Sequence, residues 1–460
     1  MTIRILTYAA LVAFVALAVR WLGWSGAQIL ATSVFAGFII GTLLFWKFRL
    51  AFALAGTTAL LATGVLDIPH LIEFASLDVI LFLVAMMIVI GFMEDRRFFE
   101  VLVEKALGSL DRRAWLLLSA LMVLAAVSAA LVDEVTSILF MSAVTLQVTR
   151  RFRLNPVPFL IMVVFATNIG SSATVVGNPI GVMIALRGGL TFSDFLRWAT
   201  PISLLALAVA IPLSLWWFRA EVRTLDQALR AQRPQEHAVE VERIKSLDLL
   251  LCSLLFLGTV GGLILHAPLE GWLGLPKNTM LLGVSCGGAA LALFIQREGA
   301  RELVERRVDW WTLAFFLLLF ASAGTLRYVG VTRQIAEGVT ALTGGREGWL
   351  LFGLTWGSGL LSAVMDNVLA VATLIPVLAD LEALGIFTRP LWWGLLFGGT
   401  FFGNLTMIGS TANIVALGIL ERDEGIHVRF GQWLAPGAVV AIPTLLLATL
   451  AIYFQVGWMR

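Results

Sequence analysis

The runs "NIGSSATVVGNPIGVMIA" (residues 168–185) and "GNLTMIGSTANIVA" (residues 403–416) decide how this chain folds. Each places Gly, Ser, Thr and Asn in the middle of an apolar run, residues 156–186 in the first case and 390–420 in the second. Both runs exceed the ~20 helical residues that cross a bilayer once. A helix interrupted by an unwound loop accommodates them. Upstream of each lies an acidic dipeptide in apolar surroundings, Val132-Asp133-Glu134-Val135 and Met365-Asp366-Asn367-Val368. Carboxylates and helix breakers are costly inside lipid, so their recurrence at matched positions points to a substrate or ion pathway, as in secondary transporters.

The composition is that of a polytopic membrane protein. Hydrophobic residues make up 59% of the 460 and charged residues 13%, with a mean hydropathy of +0.93. That leaves too few charges to cover soluble domains of this size. Apolar runs recur at 5–19, 26–46, 78–93, 114–132, 201–218, 249–265, 278–295 and 436–455. No small-residue cleavage site follows the first, so residues 5–22 are expected to be a membrane helix and not a signal peptide. Trp21, Trp46, Trp198, Trp311 and Trp433 flank spans and are expected to anchor at the interfaces. Cys252 and Cys286 lie in apolar runs without a CxxC or a His partner and are expected to be buried structural thiols. The four histidines, at 70, 237, 266 and 427, fall at expected loops and helix ends with no metal-ligand spacing. Neither a metal site nor a nucleic-acid partner is expected, and a net charge of +2 does not identify a partner.

Basic residues set the orientation. With the N-terminus in the cytoplasm and eleven crossings, the cytoplasmic segments collect 23 of the 32 Lys and Arg, leaving 9 outside with the C-terminus. Residues 219–246, "RAEVRTLDQALRAQRPQEHAVEVERIKS", form the only long polar stretch and read as a cytoplasmic linker, part helical. It separates residues 24–218 from 247–460, with 1–23 as an extra N-terminal helix. Gly91 to Leu107 aligns with Gly324 to Thr340, and "FLRWATP" (195–201) resembles "FGQWLAP" (430–436). In the first alignment Phe98, Leu102 and Ala106 match Val331, Ile335 and Val339 at helical spacing, an amphipathic arm. Each half has an odd number of crossings, five, so the second repeat is inverted relative to the first. The expected fold is all-α, with eleven transmembrane helices plus two re-entrant helical hairpins at 114–149 and 349–383.

At the first hairpin tip the candidate residues are Asp133, Glu134 and Thr136; at the second they are Asp366 and Asn367. A non-helical tip survives at membrane depth only where it lines a wet or protein-filled cavity. Asp and Asn also make good N-caps for the returning helices, and the two roles are compatible. In the first interrupted helix the candidates are Asn168, Gly170, Ser171, Ser172, Thr174, Gly177 and Asn178, beside Thr167 and Pro179. In the second they are Gly403, Asn404, Thr406, Gly409, Ser410, Thr411 and Asn413. Freed carbonyls there can coordinate a cation, and the following half-helix offers amide donors and a positive dipole end. Small residues also permit close helix packing, which is the plainer reading of isolated ones. No Lys or Arg lies within either interrupted stretch; Arg187 and Arg389 flank them. A di- or tricarboxylate would meet Asp133, Glu134 and Asp366 without a basic partner, so a cation, a proton or a neutral hydroxylated molecule fits better. Glu94, matched by Arg327, reads as an interface residue with a structural role.

On the hairpins "SAALVDEVTSILF" and "LLSAVMDNVLAVATLIPV" and the loops "GSSATVVGNPIG" and "GNLTMIGSTANIV", the chain resembles the ion transporter superfamily. It looks most like the arsenite-permease (ArsB)/NhaD branch, which includes the melanosomal P protein and plant silicic-acid efflux carriers. The likeness covers nearly the whole chain from about residue 26. The branch usually has Asp-Asn or Asn-Asp in the first hairpin where this chain has Asp133-Glu134. Dicarboxylate carriers of the superfamily have Ser-Asn-Thr at the hairpin tips, and this chain has it at neither. The resemblance implies a homodimer in a bacterial or archaeal inner membrane. It also implies an elevator, with helices 1–4 and 7–9 as scaffold and the hairpins and helices 5, 6, 10 and 11 sliding.

The function expected from this reading is proton-coupled efflux of arsenite or antimonite, without an organic cofactor and with H+ or Na+ as coupling ion. A sodium/proton antiporter of the NhaD type is the alternative, and a sodium-coupled dicarboxylate carrier comes third. No nucleophile–base pair is visible, so an enzyme is not expected. An energising ATPase partner is not legible in the sequence.

Overall fold

The computed structural model describes residues 2–99, 101, 102, 113–231 and 246–460, and these are all-helical. The chain opens with α1 (Thr2–Trp21) and α2 (Gly26–Leu44). Ser25 starts α2 through a reciprocal cap, its Oγ accepting the Gln28 N–H while the Gln28 side chain accepts the Ser25 N–H. Then come α3 (Arg49–Ala62), α4 (Ile68–Phe74) and α5 (Leu77–Glu94). The first hairpin is α6 (Ala114–Leu131) and α7 (Glu134–Arg151); the first interrupted helix is α8 (Pro156–Gly170) and α9 (Pro179–Arg187). A short turn, Phe192–Asp194, and a π-helical stretch, Phe195–Ala199, lead into α10 (Thr200–Trp217). The polar stretch begins as a helix, α11 (Arg219–Ala231), and residues 232–245 lie outside the described ones.

The second half runs α12 (Ser246–Leu273), α13 (Thr279–Gln296), α14 (Ala300–Arg307), α15 (Trp310–Tyr328) and α16 (Val331–Thr343). Its hairpin is α17 (Glu347–Val364) and α18 (Asn367–Ala383). Its interrupted helix is α19 (Arg389–Phe401), a 3-10 turn (Phe402–Leu405) and α20 (Thr411–Glu424), which runs past the expected end at 420. α21 (Phe430–Met459) closes the chain. The amphipathic arm expected at 331–342 is α16; its counterpart at 96–108 falls largely outside the described residues.

Nine helices among the described residues are long and apolar enough to cross a bilayer, one of them α6 of the first hairpin. The others were expected crossings. α3, with 14 residues, is about 21 Å long and falls short of the ~30 Å hydrocarbon core as a single helix.

Two packed groups emerge. α2, α3, α5, α12, α13 and α15 form one, and α6 to α10 with α17 to α21 form the other; α5 meets α9, α15 meets α18, and α16 meets α18 between them. At the heart of the second group, every residue of α8 is buried, and every residue of α19 except Arg389. A run apolar on all sides, such as "PVPFLIMVVFATNIG", has no polar stripe to turn outward and becomes the centre of the bundle.

Three expectations from the sequence are corrected. Cys252 is buried but Cys286, on α13, is exposed, because α13 turns part of its apolar surface outward. Trp198 and Trp433 are buried, not interfacial; flanking a span in sequence does not place a ring at the membrane edge when the span's end is packed inside a bundle. His266 is no loop residue: it sits buried within α12, its Nδ1 2.7 Å from the Leu263 carbonyl.

Candidate functional site

The two hairpin tips are built alike, by capping. Asp133 has extended backbone and its Oδ1 accepts the Val135 and Thr136 N–H groups at 2.7 and 2.8 Å, so α7 begins at Glu134. Asp366 does the same for α18, accepting the Val368 N–H at 3.0 Å, and α18 begins at Asn367. The cap therefore turns the next side chain inward. Glu134 is 1% exposed and Asn367 0%. These two inward groups meet: Asn367 Nδ2 donates to Glu134 Oε1 at 3.3 Å, joining tips 233 residues apart.

The interrupted helices restart by the same device. Asn178 accepts the Gly181 N–H at 2.7 Å ahead of Pro179, and Ser410 accepts the Ala412 N–H at 3.2 Å. Pro179 suits the first helical turn, where no N–H is required. Glycine lets the loops fold onto the hairpins. A Cβ on Gly170 would stand 2.1 Å from the Ala126 carbonyl oxygen of α6, closer than any side chain permits. Gly403 and Gly409 face each other's backbone across the second loop in the same way.

Four polar residues from the two interrupted helices converge. Asn168 Nδ2 donates to Asn404 Oδ1 (2.7 Å) and Asn413 Oδ1 (2.8 Å), and Ser410 Oγ donates to Asn168 Oδ1 (3.0 Å). All four are fully buried. Ser171 bridges this cluster to the tips: its Oγ lies 3.2 Å from Glu134 Oε2 and 3.0 Å from the Asn168 carbonyl, and it accepts from Asn178 Nδ2 at 2.9 Å. Its single hydroxyl proton can face Glu134 or Asn168, not both. Asp366 Oδ2 accepts the Thr411 hydroxyl at 2.6 Å. The result is one continuous network of carboxyls, amides and hydroxyls drawn from both halves.

The side chains of the other candidates lie apart from it, although the Gly403 and Thr406 carbonyls accept from Asn413 Nδ2 at 2.9 and 2.8 Å. Thr174 donates to the Ala130 carbonyl and Thr406 to the Ala363 carbonyl (2.5 Å), each stapling a loop to the end of a hairpin's first arm. Ser172 pairs with Ser203 on α10 at 2.8 Å, away from the tips. Thr136 lies one turn into α7, where its hydroxyl faces Glu94 of the other group. Glu94 also pairs with Arg307 at 2.8 Å.

Several residues were missed. Trp433 donates through Nε1 to the Asn404 carbonyl at 3.1 Å and packs edge-on against Phe165, fixing the second loop from behind. The "FGQWLAP" match marked this position, but the interfacial reading of tryptophan hid its role. Ser362 donates to the Gly399 carbonyl at 2.7 Å, and Ser128 pairs with Ser137 at 2.7 Å; each is one of two serines in a largely apolar helix, with nothing in its own stretch to single it out. Arg187 and Arg389 are held at the periphery by Asp78 (2.7 Å) and Asp194 (2.6 Å). A cavity of about 550 Å³ opens between the two groups beside Arg187, lined also by His70, Glu73, Tyr328 and Pro376.

Comparison with known proteins agrees with this architecture. The sequence profile of the CitMHS family, described as citrate transporter, matches residues 35–398. An uncharacterized transporter of Mycobacterium tuberculosis (strain H37Rv) is 34% identical over 388 residues, which cover 83% of this chain and 86% of that protein. The human P protein is 27% identical over 510 residues, covering 93% of this chain and 60% of its own length. Among solved structures, the YdaH transporter of Alcanivorax borkumensis, reported to have an unusual topology, superposes with a TM-score of 0.58 at 18% identity over 85% of this chain and 87% of that one. That likeness speaks for the fold alone.

Proposed function

The chain belongs to the citrate transporter family of the ion transporter superfamily, a family of membrane transporters and not enzymes, and on that premise we propose that it is a proton-coupled exporter of a small neutral oxyacid. Arsenite as As(OH)3 and antimonite as Sb(OH)3 are the cargoes its site suits best. One observation carries the reading: the hydrogen bonds to Glu134 and Asp366 come from neutral groups, namely Ser171 and Asn367 for the first, Thr411 and the Val368 N–H for the second. A carboxylate accepts from all four, and a carboxylic acid can donate to the hydroxyl oxygens of Ser171 and Thr411, while the Asn367 and Val368 N–H groups only donate. Each group can therefore exchange a proton while its hydroxyl partner turns to serve a hydroxylated cargo. Asn168, Asn404, Ser410 and Asn413 supply the amide and hydroxyl groups for that cargo. The free thiols, Cys252 and Cys286, sit on α12 and α13 outside this network, so trivalent arsenic would be carried by hydrogen bonds to its hydroxyls and not by sulfur.

A bare tricarboxylate would bring its charges against Asp133, Glu134 and Asp366, and for that reason we rank citrate and dicarboxylates below neutral cargoes. The second reading is a sodium/proton antiporter of the NhaD type. It requires free loop carbonyls, yet the carbonyls of Gly403 and Thr406 already accept from Asn413 Nδ2 at 2.9 and 2.8 Å. In the mechanism we favour, the group containing both tips slides against the group of α2, α3, α5, α12, α13 and α15, in a homodimer of the inner (plasma) membrane with a cytoplasmic N-terminus.

The test is transport into proteoliposomes with an acidic lumen. The pH gradient should drive accumulation of arsenite, and Glu134→Gln should stop it. If Na+ alone collapses the gradient with no metalloid present, the antiporter reading replaces this one. Citrate accumulation would instead point to the cargo in the family's description.

A further inference from the structure

Ser171 follows the last residue of α8, and its buried hydroxyl has three partners: Glu134 Oε2 at 3.2 Å, the Asn168 carbonyl at 3.0 Å and Asn178 Nδ2 at 2.9 Å. Caps fix the two amides around it. Asn178 Oδ1 accepts the Gly181 N–H at 2.7 Å, so its Nδ2 faces Ser171; Asn367 Oδ1 accepts the Val368 N–H at 2.9 Å, so its Nδ2 faces Glu134. Both amides can only donate. Among the described residues, Ser171 is therefore the one hydrogen-bond partner of Glu134 whose direction can reverse. The Asn168 carbonyl depends on it as well. Beyond the end of α8 the Ser171 N–H goes to the Thr167 carbonyl and the Ser172 N–H to that of Ile169, which leaves the Ser171 hydroxyl as the sole donor to Asn168 among the described residues.

A hydroxyl has one proton and two lone pairs, and Asn178 takes one of the lone pairs. With Glu134 ionised, the Ser171 proton is drawn to Oε2, because a hydrogen bond to a carboxylate is the stronger one, and the Asn168 carbonyl is left bare. With Glu134 protonated, the acid donates to the second lone pair and the Ser171 proton turns to Asn168. We propose that Ser171 is the coupling residue of the site: its hydroxyl opens the Asn168 carbonyl to a hydroxyl hydrogen of the cargo when Glu134 has lost its proton, and closes it when Glu134 is protonated. Proton and cargo then exclude each other while occupying different atoms, which is what exchange requires. The carbonyl lies in the last turn of α8, at the negative end of the helix dipole, so it selects a cargo that donates and gives an ionised carboxylate nothing to bind. Ser171 acts through Glu134 and Asn168 and is a positioning residue. Its part in exchange rests on the proton-coupled reading above; the reversal of the hydroxyl does not.

The charged groups facing Glu134 are Asp133 on its own tip and Asp366 on the other, and both are left in place. α6 and α8, which pack on α7, carry none, and those of α20 lie in its last turn, from Glu421 to Glu424. The experiment reads the carbonyl itself. Purified full-length protein labelled with carbon-13 at the main-chain carbonyl of asparagine is followed by infrared difference spectra between about pH 5 and pH 9, with the proton as the only ligand varied. As Glu134 ionises, one labelled carbonyl loses its hydrogen bond, and its stretch should move to higher frequency. The shift should be absent from Ser171→Ala and Glu134→Gln and present in Ser171→Thr, which keeps the hydroxyl. No shift in the wild type, a shift that survives in S171A or E134Q, or its loss in S171T overturns the proposal. If S171A does not fold, S171T and E134Q decide by the same two outcomes. In proteoliposomes with an acidic lumen, arsenite accumulation should be lost in S171A and recovered in S171T; an S171A protein that accumulates arsenite like the wild type overturns the part in coupling. Since no cargo enters the infrared assay, its failure leaves the transport reading standing, and a wild type that does not accumulate arsenite leaves the hydroxyl reversal standing.

Discussion

Asn168→Ala tests whether the asparagine–serine cluster holds the two loops together. The substitution removes two donated bonds, at 2.7 and 2.8 Å, and one accepted at 3.0 Å. It strands the Oδ1 atoms of Asn404 and Asn413, which are fully buried and have no other donor among the described residues. Each stranded acceptor costs about 1–3 kcal/mol, so the loss is roughly 2–6 kcal/mol. With an unfolding entropy of about 2.1 cal/mol/K per residue, a chain of this length melts with about 1 kcal/mol/K, so the melting temperature should fall by about 2–6 °C. The assay is thermal unfolding of the purified protein, followed by tryptophan fluorescence because Trp433 touches the Asn404 carbonyl. The double variant N168A/N404A adds the decisive comparison. Once Asn168 is gone, removing Asn404 also removes a stranded acceptor, so the second substitution should cost much less than it does alone. A fall below 1 °C for N168A, or additive losses in the pair, would refute the reasoning.

Asp366→Asn keeps acceptors for Thr411 and Val368 but cannot exchange a proton at neutral pH, so it should fold and dimerise yet lose coupled transport; wild-type flux in vesicles would remove Asp366 from the mechanism. Gly170→Ala drives a methyl into the Ala126 carbonyl and should cost about 3 kcal/mol or more with a drop in folded yield, whereas Gly258→Ala, with open space around it, should be near neutral; similar yields for the two would contradict the packing argument. Outside the membrane, the His70 backbone N–H holds the Asp67 carboxyl below its usual range. A lowered value stabilises the start of α4 above about pH 4 and is lost as the pH falls through the folded value, so amide exchange in α4 should accelerate only under acid conditions and at all pH in Asp67→Ala. Exchange that ignores pH in both proteins would dispose of this cap.

How much was legible follows the kind of signal each residue leaves. The interruption of the long apolar runs is visible because Gly, Asn and Ser in such a context are costly, and the structure does unwind between Gly170 and Pro179 and between Leu405 and Thr411. The tips were readable because Asp before a helical run is a cap by its local chemistry. Trp433 and Ser362 were not readable, because each is ordinary for its stretch and gains meaning only from the backbone it bonds across the bundle. Thr174 and Thr406 show the reverse case: they sit within the loops, yet their hydroxyls staple backbone.

The amino-acid order alone determined a membrane protein, its helical class, its matched breaks and its inward-turning caps, since each depends on residues within a helical turn or on the solvent a segment can tolerate. Only the folded chain decided that Glu134 meets Asn367 and that Asn168 gathers Asn404, Ser410 and Asn413. Those contacts join residues hundreds of positions apart. Their geometry is set by how packed helices stack, and a local pattern carries no record of that.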